Sequence, residues 1–164
     1  MTVVATIVYF LILISILIII HEFGHFLAAR LTGMRADVFS VGMGNRLFGW
    51  NKITGFTFGS LPKDWDGEGH TDYRVSLFPI GGYLKIAGMV DESFDTEYAG
   101  KPPEPWEFRS KNTFQKTLAI TGGVLMNTIF AFVIFSSLVF FNGKEFAATT
   151  EIAYVRDTSL AAKI

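Results

Sequence analysis

Cysteine is absent from the 164 residues, which removes disulfides and thiolate metal sites together. Any metal held by this chain must therefore sit on nitrogen and oxygen. Histidine is scarce, three in all, and two of the three lie four residues apart. Charge is missing altogether from two long runs, residues 3–20 and 118–141. No lysine or arginine precedes the first run, and the run is too long for the short apolar core of a cleaved signal peptide. The segment is expected to be retained. A formal net charge of −1 leaves no electrostatic case for nucleic acid as a partner.

The uncharged runs have membrane dimensions. Val3 to Ile20 is interrupted only by Thr6 and Ser15, and its roughly 18 positions give about 27 Å of helix. Leu118 to Phe141 carries Thr121, Asn127, Thr128, Ser136 and Ser137 as its polar members, and at about 24 positions it reaches about 36 Å. Gly122-Gly123, near its start, would let another helix approach closely.

At the inner end of the first run stand His21, Glu22, Phe23, Gly24 and His25, an H-E-x-x-H motif. On a helix, residues four apart share a face, so both imidazoles can reach one zinc ion while Glu22 serves as general base toward a water. The competing reading is a chance match, or core histidines satisfied by hydrogen bonds. It is disfavoured because polar groups at membrane depth need a partner or a function. The helix is expected to continue to about Leu31 and to stop at Thr32-Gly33. Catalytic zinc usually has three protein ligands and one open position. Candidates for the third are His70, Asp64, Asp66, Glu68, Asp72 and Asp91, all in polar surroundings where a solvated charge is the simpler account. The alternative is a third ligand outside this chain.

Eleven of the fourteen Lys and Arg lie between Arg30 and Lys116. By the positive-inside rule the middle loop is cytoplasmic and the N-terminus and C-terminal tail face outward, which places a multi-pass protein in the cell membrane. Within the loop, Val38 to Trp50 is glycine-rich and reads as a short strand or turn on the membrane surface. Tyr73–Ile80 and Tyr83–Ala87 read as the two strands of a hairpin, about residues 73–88, too apolar to float in water and expected to dip against the first helix. An exposed edge there could hold an extended peptide by strand addition. Gly81, Gly82 and Tyr83 at its turn are candidate substrate contacts. So is Asn127 in the second span, for which a plain helix–helix hydrogen bond is an equal reading.

HEFGH followed by HFLAARLTG resembles the site-2 protease family of intramembrane zinc metalloproteases, of the bacterial regulator of sigma-E protease type. SVGMGNRLFGW, YRVSLFPIGGYLKIAG and PWEFRSKNTFQKTLAITGGVLMN are similar to that family's glycine-rich segment, membrane-re-entrant hairpin and lead into the second span. IAYVRDTSLAAKI resembles the opening of a PDZ domain. The resemblance implies His21 and His25 as zinc ligands, Glu22 as catalytic base, and a third ligand from an aspartate in a later L-D-G motif that these residues do not contain. It also implies an N-terminal fragment, inactive alone. The substrates it implies are single-pass membrane proteins, such as anti-sigma factors or signal-peptide remnants, within the lipid bilayer.

The expected fold is an α-helical membrane protein. Residues 1–32 form the first transmembrane helix, 33–117 a cytoplasmic loop with a small membrane-associated β-hairpin, 118–141 the second transmembrane helix, and 142–164 an extracytoplasmic tail with a truncated PDZ start. The expected function is zinc-dependent hydrolysis of peptide bonds in transmembrane segments. The rivals are an inactive zinc-binding membrane scaffold and a metal transporter.

Overall fold

The computed structural model describes residues 2–62, 65, 67–89 and 102–143. Helix α1 runs Val3–Leu31 and helix α2 Thr113–Asn142, and both are long and apolar enough to cross a membrane. Thr2 caps α1, its hydroxyl oxygen accepting from the Ala5 N–H at 3.4 Å. At the far end Gly33 turns left-handed at φ 69°, its N–H donating to Arg30 C=O and that of Met34 to Ala29 C=O. This paired closure is a Schellman stop, and glycine takes the left-handed turn at no steric cost. The helix thus ends at the Thr32-Gly33 break visible in the sequence.

α2 begins at Thr113 rather than Leu118. Asn112 and Gln115 cap one another, Gln115 N–H donating to Asn112 Oδ1 at 2.9 Å and Asn112 N–H to Gln115 Oε1 at 3.2 Å. Such a box satisfies two orphan donors and draws into the helix a polar turn that a count of apolar residues leaves out.

The helices meet through their smallest residues. The buried positions on α1 are Gly24, Ala28 and Ala29, and on α2 Ala119, Gly122 and Gly123, while large side chains such as Val3 (76 % exposed) and Phe132 (73 %) point away. A methyl group at Gly24 would run into the Gly122 carbonyl, and one at Gly122 would lie 2.9 Å from the Ala28 Cβ. Small residues inside and large apolar ones outside is the packing of helices in lipid, where close backbone approach replaces a hydrophobic core. A small cluster of Ala29, Met34, Ile86 and Ala119 closes the crossing and ties the sheet to both helices.

Between the helices the chain forms β1 (Ala36–Asn51), β2 (Gly55–Phe58) and β3 (Asp72–Ile86), in the order β2-β1-β3. This corrects two expectations. Residues 38–50 belong to one 16-residue strand, not a short strand or turn. The hairpin expected over 73–88 does not pair with itself. Instead β3 runs unbroken past Pro79, and both of its halves pair with β1: Ala36↔Ile86 through Val41↔Gly82 on one side, Arg46↔Ser76 through Trp50↔Tyr73 on the other. Val38–Val41 also register with Asp72–Val75, so the first half of β1 is inserted between the two halves of β3. The bends are made by Gly42, Gly44 and Gly81, all at positive φ. A Cβ at Gly42 would sit 2.5 Å from the Phe78 carbonyl, so β1 can thread this gap only without a side chain there.

Asp72 and Arg46, both buried, lock the start of β3 to β1 through bonds of 3.1 and 3.2 Å, and Arg46 also donates to the Thr57 and Gly59 carbonyls. The bend of β3 lies on α1, where the Ser15 hydroxyl donates to Pro79 C=O at 3.2 Å. Leu77, Phe78 and Ile80 at this bend are exposed. The expected PDZ opening lies outside the described residues, beyond Gly143.

Candidate active site

His21 and His25 lie one helical turn apart on α1, their Nε2 atoms 3.1 Å from each other and their rings edge to face at 79°. α2 sets both rings from behind. The His25 Nδ1–H donates to the Ala119 carbonyl at 2.7 Å. A carbonyl can only accept, so this bond puts the proton on Nδ1 and leaves the Nε2 lone pair toward His21. His21 Nδ1 lies 3.4 Å from the side-chain amide of Asn127. Asn127 Oδ1 is buried and without a hydrogen-bond partner among the described residues. Half a turn of the amide brings that oxygen opposite Nδ1, where it accepts the His21 Nδ1–H. The orphan is then satisfied, and a second Nε2 lone pair faces the first.

These residues fit a zinc ion. Two nitrogens on tetrahedral zinc, each about 2.0–2.1 Å from the metal, stand about 3.3 Å apart, close to the separation seen here. Holding each ligating ring by its other nitrogen is how metal-binding imidazoles are oriented. Gly123 completes the cradle: a Cβ there would lie 2.6 Å from His21 Nε2 and 2.6 Å from His25 Nε2. Any side chain at 123 would occupy the space between the nitrogens and the second helix.

Glu22 follows His21 on the helix and turns toward the sheet. Its Cγ lies 3.5 Å from the point a Cβ on Gly82 would take. Gly82 pairs with Val41 and Tyr83 with Ser40, so the second half of β3 runs beside the carboxylate. Its other edge pairs with no strand among the described residues. Tyr83 carries the Arg74 guanidinium 5.0 Å from its ring centroid, and burial pushes that guanidinium below the usual arginine range, against the opposing pull of Asp72. Gly81, at φ 94°, packs against the Met43 side chain on the sheet.

The site therefore gathers His21, His25, Glu22, Gly82 and Asn127 of the residues read from the sequence. It does not gather a third ligand. Asp72 is committed to Arg46, and Glu68 lines a separate cavity beside Arg35. Among the described residues no group of three or more His, Asp or Glu is placed to hold a metal. Asp64, Asp66 and Asp91 lie outside the described residues. Sequence reasoning missed Ala119, because its contribution is a backbone carbonyl, and it took Gly123 only for a helix-packing residue.

The model of peptidase family M50 matches residues 9–63 and 55–163. Among curated relatives, a Clostridium perfringens protein assigned by name alone as a zinc metalloprotease is 31 % identical over 158 residues, 96 % of this chain and 39 % of its own length. A Rickettsia conorii protein named in the same way is 34 % identical over 142 residues, 85 % of this chain and 34 % of its own. The protease RseP of Yersinia pestis is 34 % identical over 124 residues, covering 76 % of this chain and 23 % of that protein. The chain thus spans less than two-fifths of the length of each.

Proposed function

Because this chain belongs to peptidase family M50, the family of the site-2 zinc metalloproteases, we propose that it carries the catalytic helix of an enzyme that hydrolyses peptide bonds inside transmembrane segments of single-pass membrane proteins. The observation that carries the reading is the pair of Nε2 atoms 3.1 Å apart, within a helix long and apolar enough to cross a bilayer, with Glu22 beside them. His21 and His25 hold the zinc ion through Nε2, and the third ligand is an aspartate of the L-D-G kind, outside these 164 residues. Bound there, zinc supplies Lewis-acid polarisation of the scissile carbonyl and makes water a better nucleophile at neutral pH.

Glu22 accepts the proton of the attacking water and returns it to the departing amine. The second half of β3, alongside Glu22 at Gly82, holds the substrate backbone extended by strand addition. Extension is needed because a helix keeps its carbonyls hydrogen-bonded and out of reach. The bend at Leu77, Phe78 and Ile80 enters the bilayer beside α1, so the sheet edge meets substrate at membrane depth. Substrates of this class include anti-sigma factors and signal-peptide remnants. The chain itself sits in the cell membrane with its N-terminus outside and its central loop cytoplasmic.

The test is Glu22→Gln in the full-length protein, with bound zinc and cleavage of a model transmembrane substrate measured together. Zinc stays bound and cleavage falls by at least about a hundredfold, the lower range for a general base. Retained cleavage in that variant would remove Glu22 as the base. A wild-type protein that holds zinc and cleaves nothing would instead be an inactive scaffold.

A further inference from the structure

Where α1 ends, the chain leaves a cavity of about 600 Å³ that the catalytic reading does not use. Arg30, Met34, Arg35, Glu68, Gly69 and Trp106 are among the residues that line it. Its depth follows from the helix. From Val3 to Arg30 is about 40 Å at 1.5 Å per residue, and a bilayer with its headgroup layers is about 40–45 Å thick. The last turn of α1 therefore stands at the level of lipid phosphates. Trp106, half exposed, is a side-chain type that prefers this level.

The cations are held in place rather than waving in solvent. The Arg35 backbone N–H donates to Trp106 C=O at 2.9 Å, fixing the two residues side by side, and the Arg35 guanidinium stands 5.9 Å from the centre of the Trp106 ring. The Arg30 guanidinium stands 5.9 Å from the centre of the Phe26 ring on the preceding turn. Lys111, in the segment before α2, brings its Nζ 3.4 Å from where a Cβ would lie on Gly33, a residue that lines the cavity. Against these three cations stand Glu68 on the wall and Asp37, which accepts from Arg35 Nε at 2.7 Å. The balance is positive, and the neighbouring Arg109 is already paired with Glu107.

We propose that this cavity binds the phosphate of an anionic phospholipid headgroup, with Arg30 and Lys111 at its mouth and the exposed Trp106 against the glycerol and upper acyl carbons. Basic pockets at the ends of transmembrane helices suit such headgroups, since charge attraction adds to a ligand the bilayer already presents at high concentration. The proposal rests on α1 crossing a membrane and not on the zinc site, so the two can fail separately.

Native mass spectrometry of the full-length protein from mixed micelles tests it, with phosphatidylglycerol, phosphatidylcholine and free glycerol 3-phosphate as the three probes. Wild type retains phosphatidylglycerol in preference to phosphatidylcholine and takes up no glycerol 3-phosphate. Arg30→Gln and Arg35→Gln each weaken retention about fivefold, as expected for one basic residue near an anionic surface. Zinc content is unchanged in both. Should Arg35→Gln fail to fold, Arg30→Gln on the exposed face of α1 decides alone. Equal retention of the two lipids, equal retention by Arg30→Gln, or uptake of glycerol 3-phosphate matching that of the lipid would each overturn the proposal.

Discussion

A backbone carbonyl on the second helix decides which nitrogen of His25 faces His21. Ala119 C=O takes the Nδ1 proton at 2.7 Å, and the amide of Asn127 stands ready to do the same for His21. Neither role can be read from residue type, since one belongs to backbone and the other could serve any buried asparagine. Gly123 supplies the sharpest prediction at this scale. Alanine favours a helix interior over glycine by about 1 kcal/mol, so propensity alone predicts that Gly123→Ala strengthens α2. Its methyl would nonetheless stand 2.6 Å from Nε2 of both His21 and His25. The expected outcome is loss of bound zinc with helix content preserved, measured by metal analysis beside circular dichroism. Zinc retained at wild-type stoichiometry would show that α2 can move away from the site.

At the scale of elements, the sheet is where sequence reasoning fell short. Tyr73–Ile80 and Tyr83–Ala87, separated by glycines, carry the marks of a hairpin, because turn rules consider only strands adjacent in sequence. Here the pairing that wins is with β1, which threads between the two halves of β3. The end of α1, in contrast, was legible: Thr32-Gly33 stops it by local hydrogen bonds that depend on nothing distant. The edge of residues 82–86 that pairs with no strand among the described residues makes a prediction. Successive N–H groups of a strand point to opposite sides, so of Leu84→Pro and Lys85→Pro one removes an outward donor and the other a donor to β1. The outward one should keep bound zinc yet lose cleavage of helical substrates more than of pre-extended ones. Equal loss for both substrates would count against strand addition.

For the whole molecule, the proposed orientation, which rests on most basic residues lying between the two apolar helices, can be tested by chemistry. The absence of cysteine makes the chain its own blank. Thr2→Cys and Ser60→Cys, both at exposed positions, should differ in intact cells. A membrane-impermeant maleimide should label position 2 and leave position 60 unlabelled until the membrane is opened. The reverse pattern would invert the topology and put the catalytic pair near the outer face.

Local order along the chain was enough to specify the two apolar runs, the Thr32-Gly33 stop of α1, and the H-E-x-x-H spacing that sets His21 and His25 on one helix face. Each of these is carried by one continuous stretch of the chain. Tertiary structure alone decided that Gly24 meets Gly122, that Ala119 and Asn127 orient the imidazoles, that β1 divides β3, and that Asp72 pairs with Arg46 instead of a metal. Those contacts join residues 26 to 106 positions apart, and their energies come from packing and burial that no local pattern encodes.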